Sequence, residues 1–321
     1  MVHAPTPPNG ERKDSPLREW LRTRDRRNLS AVVVTDPLAE ESQMAGDEAV
    51  RFWQTAPQVP SEFVCAYLEA GRSVPHVHEE WQFAVPEIPS KLSVGAFRRY
   101  TARECDITVV PPYDVHTEGG GNGSAPRWRA LYVAPSLLTR LYHKVTGASG
   151  RAAPRFHGPV LADPAAAIEL RALLRAGEQG TIAGSEFPAA IRRWLEQLLR
   201  RHAADAAAPG RAPAVERARA YLQERPTQPV SLPEVGAVAG VTTSHLVRSF
   251  SRAVGLPPKS YHAQVRLARA QRLLAEGKPA TWVAYECGFA DQSHLSRRFK
   301  ESHGLTPRAF QAQVRGTPNA A

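Results

Sequence analysis

Cysteine is scarce in this 321-residue chain and methionine scarcer, with three of one and two of the other. Cys65, Cys105 and Cys287 are odd in number, far apart and free of C-x-x-C spacing. That arrangement argues against a disulfide framework or a zinc finger and fits a reducing, cytoplasmic setting. No apolar run approaches the ~20 residues needed to span a bilayer. The charged N-terminus has no hydrophobic stretch behind it, so the expectation is no signal peptide and no membrane partner. Reactive groups are equally thin. Neither an activated Ser or Cys nucleophile nor a phosphate-binding loop can be read. Glu79 and Glu80 are adjacent, so on a strand they face opposite ways and cannot work as a carboxylate pair. No catalytic residue, cofactor or metal is assigned, and an enzyme is not expected.

What is present is positive charge, unevenly placed. The net charge is +10, and from Arg211 to the end 16 Lys and Arg stand against 7 Asp and Glu, whereas the first 210 residues hold 25 against 24. A chain of this length accommodates two domains. A nearly neutral body joined to a basic last third points to a polyanion, double-stranded DNA being the usual one.

The organisation follows composition. Residues 1–48 are rich in Pro, Arg and acids, and read as a poorly ordered extension with one short helix around Leu17–Arg27. Residues 49–135 carry short apolar runs ("FVCAYLEAG", "WQFAVPEIP", "CDITVVPP", "WRALYVAP") broken by Gly and Pro, which predicts a small β-barrel or sandwich. "TEGGGNGSAP" (117–126) reads as a loop between two strands. Residues 136–203 are helical, and Ile191, Trp194, Leu195, Leu198 and Leu199 form one apolar stripe that either packs on its own domain or forms a dimer seam. Residues 204–214 are a linker by composition, and 215–321 read as helices with turns between them.

The last segment repeats itself. "SHLVRSFSRAVGLPPKSY" starts at Ser244 and "SHLSRRFKESHGLTPRAF" at Ser293, with eight of eighteen positions identical. Ahead of the first copy, Ser231 and Glu234 form a capping-box pattern and Gly240 supplies a turn. The helix that follows buries Leu246 and Phe250 and leaves Ser244, Val247, Arg248 and Ser251 outward. In the second copy Val283, Ala284 and Cys287 form the inner face of a short helix and Gly288 the turn. Its second helix buries Leu295 and Phe299 and presents Gln292, Ser293, Ser296 and Arg297. Two short helices joined by a glycine turn, the second with a small polar and arginine face, are the elements of a helix-turn-helix. Arg pairs bidentately with guanine and Gln with adenine in the major groove. Between the copies an unbroken helical pattern runs from about Lys259 to Glu276. Its length of roughly 27 Å at about 1.5 Å per residue compares with about 34 Å for one turn of duplex. Such a rod can hold two reading helices in consecutive major grooves of an asymmetric site.

"GVTTSHLVRSF", "PPKSYHAQVRLARAQRLL" and above all "VAYECGFADQSHLSRRFKESHGLTPRAF" resemble the C-terminal domain of the AraC/XylS family of bacterial transcription regulators, over roughly residues 215–314. The resemblance implies DNA contacts at Thr243, Ser244, Val247, Arg248, Gln292, Ser293, Ser296 and Arg297, and an influence on RNA polymerase whose sign, activation or repression, stays open. Gly236 departs from the family's usual Ala, at a helix-propensity cost of ~1 kcal/mol. "GRSVPHVHEEWQF" and "ECDITVVPPYDVH" resemble the cupin-like sensor domain that many members carry. The fold class expected is therefore multidomain α+β: a cupin-like β-barrel with trailing helices, then an all-α domain with two helix-turn-helix units on a long helix.

His76 and His78 share a strand face by the period of two, and the turn before His116 can bring it to the same mouth. With Gln82 these are the residues expected to contact a small-molecule effector. Three convergent imidazoles are also a common ligand set for Zn, Fe, Ni or Cu. Metal-binding cupins place a glutamate where Gln82 stands, so that set lacks its anionic ligand. The function read from the sequence is an effector-controlled, sequence-specific DNA-binding regulator, with a homodimer as a further arrangement. The rivals are a cupin-type metalloenzyme fused to a DNA-binding domain and a ligand-independent regulator.

Overall fold

The structure, a computed structural model, describes residues 49–54, 63–69, 74–96, 98–120, 126–149, 153–182, 185–204 and 211–315. The N-terminal extension, residues 121–125 and most of the linker lie outside the described residues.

The sheet region consists of β1 (Ala49–Trp53), β2 (Phe63–Glu69), β3 (Trp81–Pro86), β4 (Ser90–Val94), β5 (Arg98–Ala102), β6 (Ile107–Val110), β7 (His116–Gly120), β8 (Arg127–Val133) and β9 (Val160–Leu161). A larger antiparallel sheet has the order β1-β2-β8-β3-β6-β9, and a smaller one the order β5-β4-β7. The expected class is present, but the barrel is not closed, because the strands divide between two sheets. Residues 117–120, expected in a loop, form β7 instead: Thr117 and Glu118 pair with Ser93 and Leu92 of β4. Glycine-rich composition suggested a loop, and the ladder to β4 overrides that local signal.

All six residues of β3 are buried, since both faces of the larger sheet are covered. Trp81, Phe83 and Val85 pack with three helices, α1 (Pro135–Thr146), α2 (Pro164–Gln179) and α3 (Glu186–His202). Gln82 and Ala84 point to the opposite face by the strand's period of two. The α3 stripe is spent inside this core: Ile191, Trp194, Leu195 and Leu198 are fully buried, and Trp194 donates to the Ala166 carbonyl at 2.9 Å. It is therefore not available as a dimer seam.

The C-terminal helices are α4 (Pro213–Glu224), α5 (Leu232–Ala239), α6 (Thr243–Val254), α7 (Pro258–Ala275), α8 (Ala280–Glu286), α9 (Gln292–His303) and α10 (Pro307–Arg315). Both halves of the capping box are present at the start of α5, Ser231 accepting from the Glu234 amide and Glu234 accepting from the Ser231 amide. Gly236 has a reason that propensity does not supply. A Cβ there would lie 2.9 Å from the Val241 carbonyl oxygen, where the turn folds back on α5.

Sheets and helices share their interiors. One apolar cluster joins Phe52, Ala66, Trp128 and Tyr132 to Leu273, Phe299, Phe310 and Val314, with the Phe52 and Phe310 rings 4.9 Å apart. Gln313 of α10 accepts from the Phe52 amide at 3.0 Å and donates to the Val50 carbonyl at 3.2 Å. This satisfies the open edge of β1, which would otherwise expose pairing groups. A second cluster joins Val77 and Val115 to the apolar core of α4, α5, α6 and α7. At the end of α6, Gly255 has φ +93°, and a Cβ there would meet the Gly95 carbonyl carbon at 2.9 Å. Only glycine permits both that conformation and that approach.

Candidate functional site

Two places carry chemistry. The first is the outer face of α6 and α9. Thr242 caps α6 by accepting from the His245 amide, and Asp291 caps α9 by accepting from the His294 amide at 2.7 Å. The side chains that cap these first turns replace the orphan N–H partners of a free helix end. With Leu246, Phe250, Leu295 and Phe299 fully buried, the opposite faces are left outward. Ser244, Arg248, Gln292, Ser293 and Arg297 are exposed, while Thr243, Val247 and Ser296 are half-buried. Gln292 is steadied by the Thr281 hydroxyl, 2.7 Å away. Beside α9 a concavity of about 350 Å³ is lined by Arg266, Arg297, Arg298 and His294 among others, so this side of the second unit is basic.

The second place is buried between the two sheets. His76 and His116 form an antiparallel backbone bridge, with the His76 amide 3.2 Å from the His116 carbonyl and the reverse bond at 3.1 Å. Their ring centroids are 4.2 Å apart, and those of His78 and His116 4.8 Å. Gln82 reaches them from β3: its Oε1 lies 2.8 Å from His78 Nε2 and 3.1 Å from His116 Nε2. The four effector-site residues expected from the sequence are thus brought together.

A fifth residue was missed. Glu118 of β7 presents its carboxylate 2.9 Å from Gln82 Nε2 and 3.5 Å from His116 Nε2. The anionic group that the His76–His78–Gln82 spacing lacks therefore enters two residues after His116. The signal was the period of two, hidden because 117–120 were read as loop. Burial pushes the His78 imidazole down to about 3, helped by the neighbouring rings of His116 and His76. His116 is held well below its ordinary value, by burial first and then by His76. Both rings are neutral near pH 7.

The loops that carry these rings are held by the helical region. Arg219 of α4 donates to the Tyr113 carbonyl at 3.1 Å and to Asp114 at 2.9 Å. The Tyr261 hydroxyl of α7 reaches the same Tyr113 carbonyl at 3.2 Å, and Tyr113 sits at φ +61°. Arg272 of α7 pairs with Glu79 at 2.6 Å, one residue after His78. At the end of α9, the imidazole of His303 is pushed down to about 3 by burial and then by His76, which sets it in the electrostatic reach of the cluster.

A pair of helix-turn-helix units built on one connecting helix, each with an outward polar and arginine face, defines a DNA-binding protein of the transcription-regulator class. Residues 235–313 match the family described as a helix-turn-helix domain. The chain is 27% identical over 224 residues to the helix-turn-helix-type transcriptional regulator YbfI of Bacillus subtilis, covering 68% of this chain and 79% of that one. An AraC-type DNA-binding domain from Chromobacterium violaceum is 29% identical over 33% of this chain and 96% of its own, with a TM-score of 0.31. ToxT of Vibrio cholerae, solved with an unsaturated fatty acid bound, is 11% identical and aligns over 84% of this chain and 97% of its own at a TM-score of 0.51. That last likeness shows a shared fold. Residues 235–313 thus form an AraC-type helix-turn-helix domain, of the kind that DNA-binding transcription regulators carry.

Proposed function

We propose that this regulator reads an asymmetric DNA site with α6 and α9 in successive major grooves, and that an effector bound at His76, His78, Gln82 and His116 controls it. The observation that carries the effector half is the alternation around the bridge. Val77 lies between His76 and His78, and Val115 precedes His116; both valines are buried in the core of the first helix-turn-helix unit. A ligand that moves the histidines on one side of these segments must move the valines on the other. Effector control then works as a difference in affinity for two arrangements of the helical region. Exposure of Ser244, Arg248, Gln292, Ser293 and Arg297 together supports the reading half. The ToxT fold with a bound fatty acid supports ligand control in this architecture. The family's mode of action adds contact with RNA polymerase and activation of transcription, with the protein acting in the cytoplasm, alone or as a homodimer.

Genome-wide footprinting with the full chain tests this. The expected footprint is two short segments about one helical turn apart, unrelated in sequence. A palindromic footprint, or protection from only one unit, would overturn the two-groove reading.

A further inference from the structure

The three histidines share a hydrogen-bond arrangement with a chemical consequence. His76 Nδ1 lies 2.9 Å from the Val74 carbonyl, His78 Nδ1 2.7 Å from the Glu80 carbonyl and His116 Nδ1 3.0 Å from the Asp114 carbonyl. A carbonyl can only accept, so each Nδ1 is the donor and Nε2 is the nitrogen left to hold a ligand. Two of those Nε2 atoms converge on Gln82 Oε1, itself an acceptor, while Gln82 Nε2 faces Glu118 Oε1. Turning the Gln82 amide over gives the imidazoles a donor, but then sets its oxygen against the carboxylate. In either orientation the Gln82 amide donates to only one side of the cluster. A cation suits this set of converging acceptors, the imidazole nitrogens and the buried Glu118 carboxylate.

We propose that His76, His116 and Glu118 hold a divalent first-row transition-metal ion, flanked by His78 and Gln82, and that this ion is the effector. The inference rests on reading the cluster as the effector site. One ligand atom from each of the three residues lies within 4.8 Å of the others, a spread that suits one ion. Imidazole with one carboxylate matches Mn through Zn, whereas Mg and Ca prefer all-oxygen sets. Ring N–H groups fixed on main-chain carbonyls are the outer partners that orient metal-binding histidines. In a tetrahedral site with metal–ligand bonds of about 2.0–2.1 Å, ligand atoms stand about 3.3 Å apart. Coordination therefore draws the His76 and His116 segments inward, and with them Val77 and Val115 in the first helix-turn-helix core.

The test uses the full chain, stripped with chelator and dialysed against Zn(II), Ni(II), Co(II) or Mn(II), with Mg(II) and Ca(II) as controls. About one ion of the first group per chain is expected. Glu118→Gln and His76→Gln should each weaken it by at least tenfold, while Lys144→Ala, on the exposed face of α1, binds ion and DNA as the parent does. Circular dichroism verifies that each variant is folded. Absence of stoichiometric binding by the folded parent, or equal affinity in both ligand variants, would overturn the site. DNA affinity measured in the same samples separates the two levels. If the ion binds and DNA affinity is unchanged, the site stands and its role as effector falls. If no ion binds but an organic metabolite alters DNA affinity, the metal falls and effector control survives.

Discussion

His76 and His116 are joined by two backbone hydrogen bonds of 3.2 and 3.1 Å, so their imidazoles, 4.2 Å apart, sit on a single two-segment bridge. The residues beside them, Val77 and Val115, are 2% and 3% exposed and face the other way, into the core around Leu246, Phe250 and Tyr261. The bridge is a wall with histidines on one side and the first helix-turn-helix unit on the other.

Val77→Ala should therefore destabilise the protein by about 1–3 kcal/mol, the range for deleting buried methyl groups that leave a cavity. Urea denaturation followed by circular dichroism reads this. A change below about 0.5 kcal/mol would mean that the contact with the first unit carries no stability.

Arg297→Ala should cost about 1–3 kcal/mol in specific DNA binding and relax the choice at one base pair. Arg248→Ala should do the same at a base about one helical turn away. Fluorescence anisotropy on specific and random duplexes separates base reading from phosphate contact. Equal losses on both would assign the arginine to the backbone.

Gly236→Ala sets helix propensity against packing. Alanine is the better helix former by about 1 kcal/mol, but its Cβ would lie 2.9 Å from a backbone oxygen of the turn. The turn is fixed by the Val241 amide bonding the Gly236 carbonyl at 3.0 Å, so it has little room to give. The expected result is a lower melting temperature; a higher one would show that the turn adjusts freely.

His262 of α7 is 5% exposed, and its Nε2 bonds the Arg225 carbonyl at 2.8 Å, tying the connecting helix to the end of α4. Burial lowers its affinity for a second proton, and the nearby Arg266 adds to that. The unfolded chain, with a histidine near the ordinary value of about 6.5, takes up that proton first as pH falls. Stability is then lost progressively below about pH 6.5. His262→Gln keeps a donor for the Arg225 carbonyl and does not titrate. Urea midpoints between pH 7.5 and 5.5 should fall less steeply for the variant than for the parent; equal slopes would remove His262 from the acid response.

The sequence by itself determined the reading heads. Ser231 as a cap, Gly240 and Gly288 as turns, and Leu and Phe at helical spacing are local signals. Helices of this kind form from residues within a few turns of one another. The chain's strands, by contrast, are defined by partners far away in sequence. Gln313 seals β1 from 263 residues on, and β7 exists because β4 lies beside it, so a glycine-rich stretch that reads as loop becomes the strand that carries Glu118. Periodicity placed His76 and His78 on one face, and it could equally have placed His116 and Glu118 had the strand been known. Only the tertiary structure decided that the valines between these residues enter the first helix-turn-helix core, because burial on the far side of a strand depends on what the rest of the chain packs there.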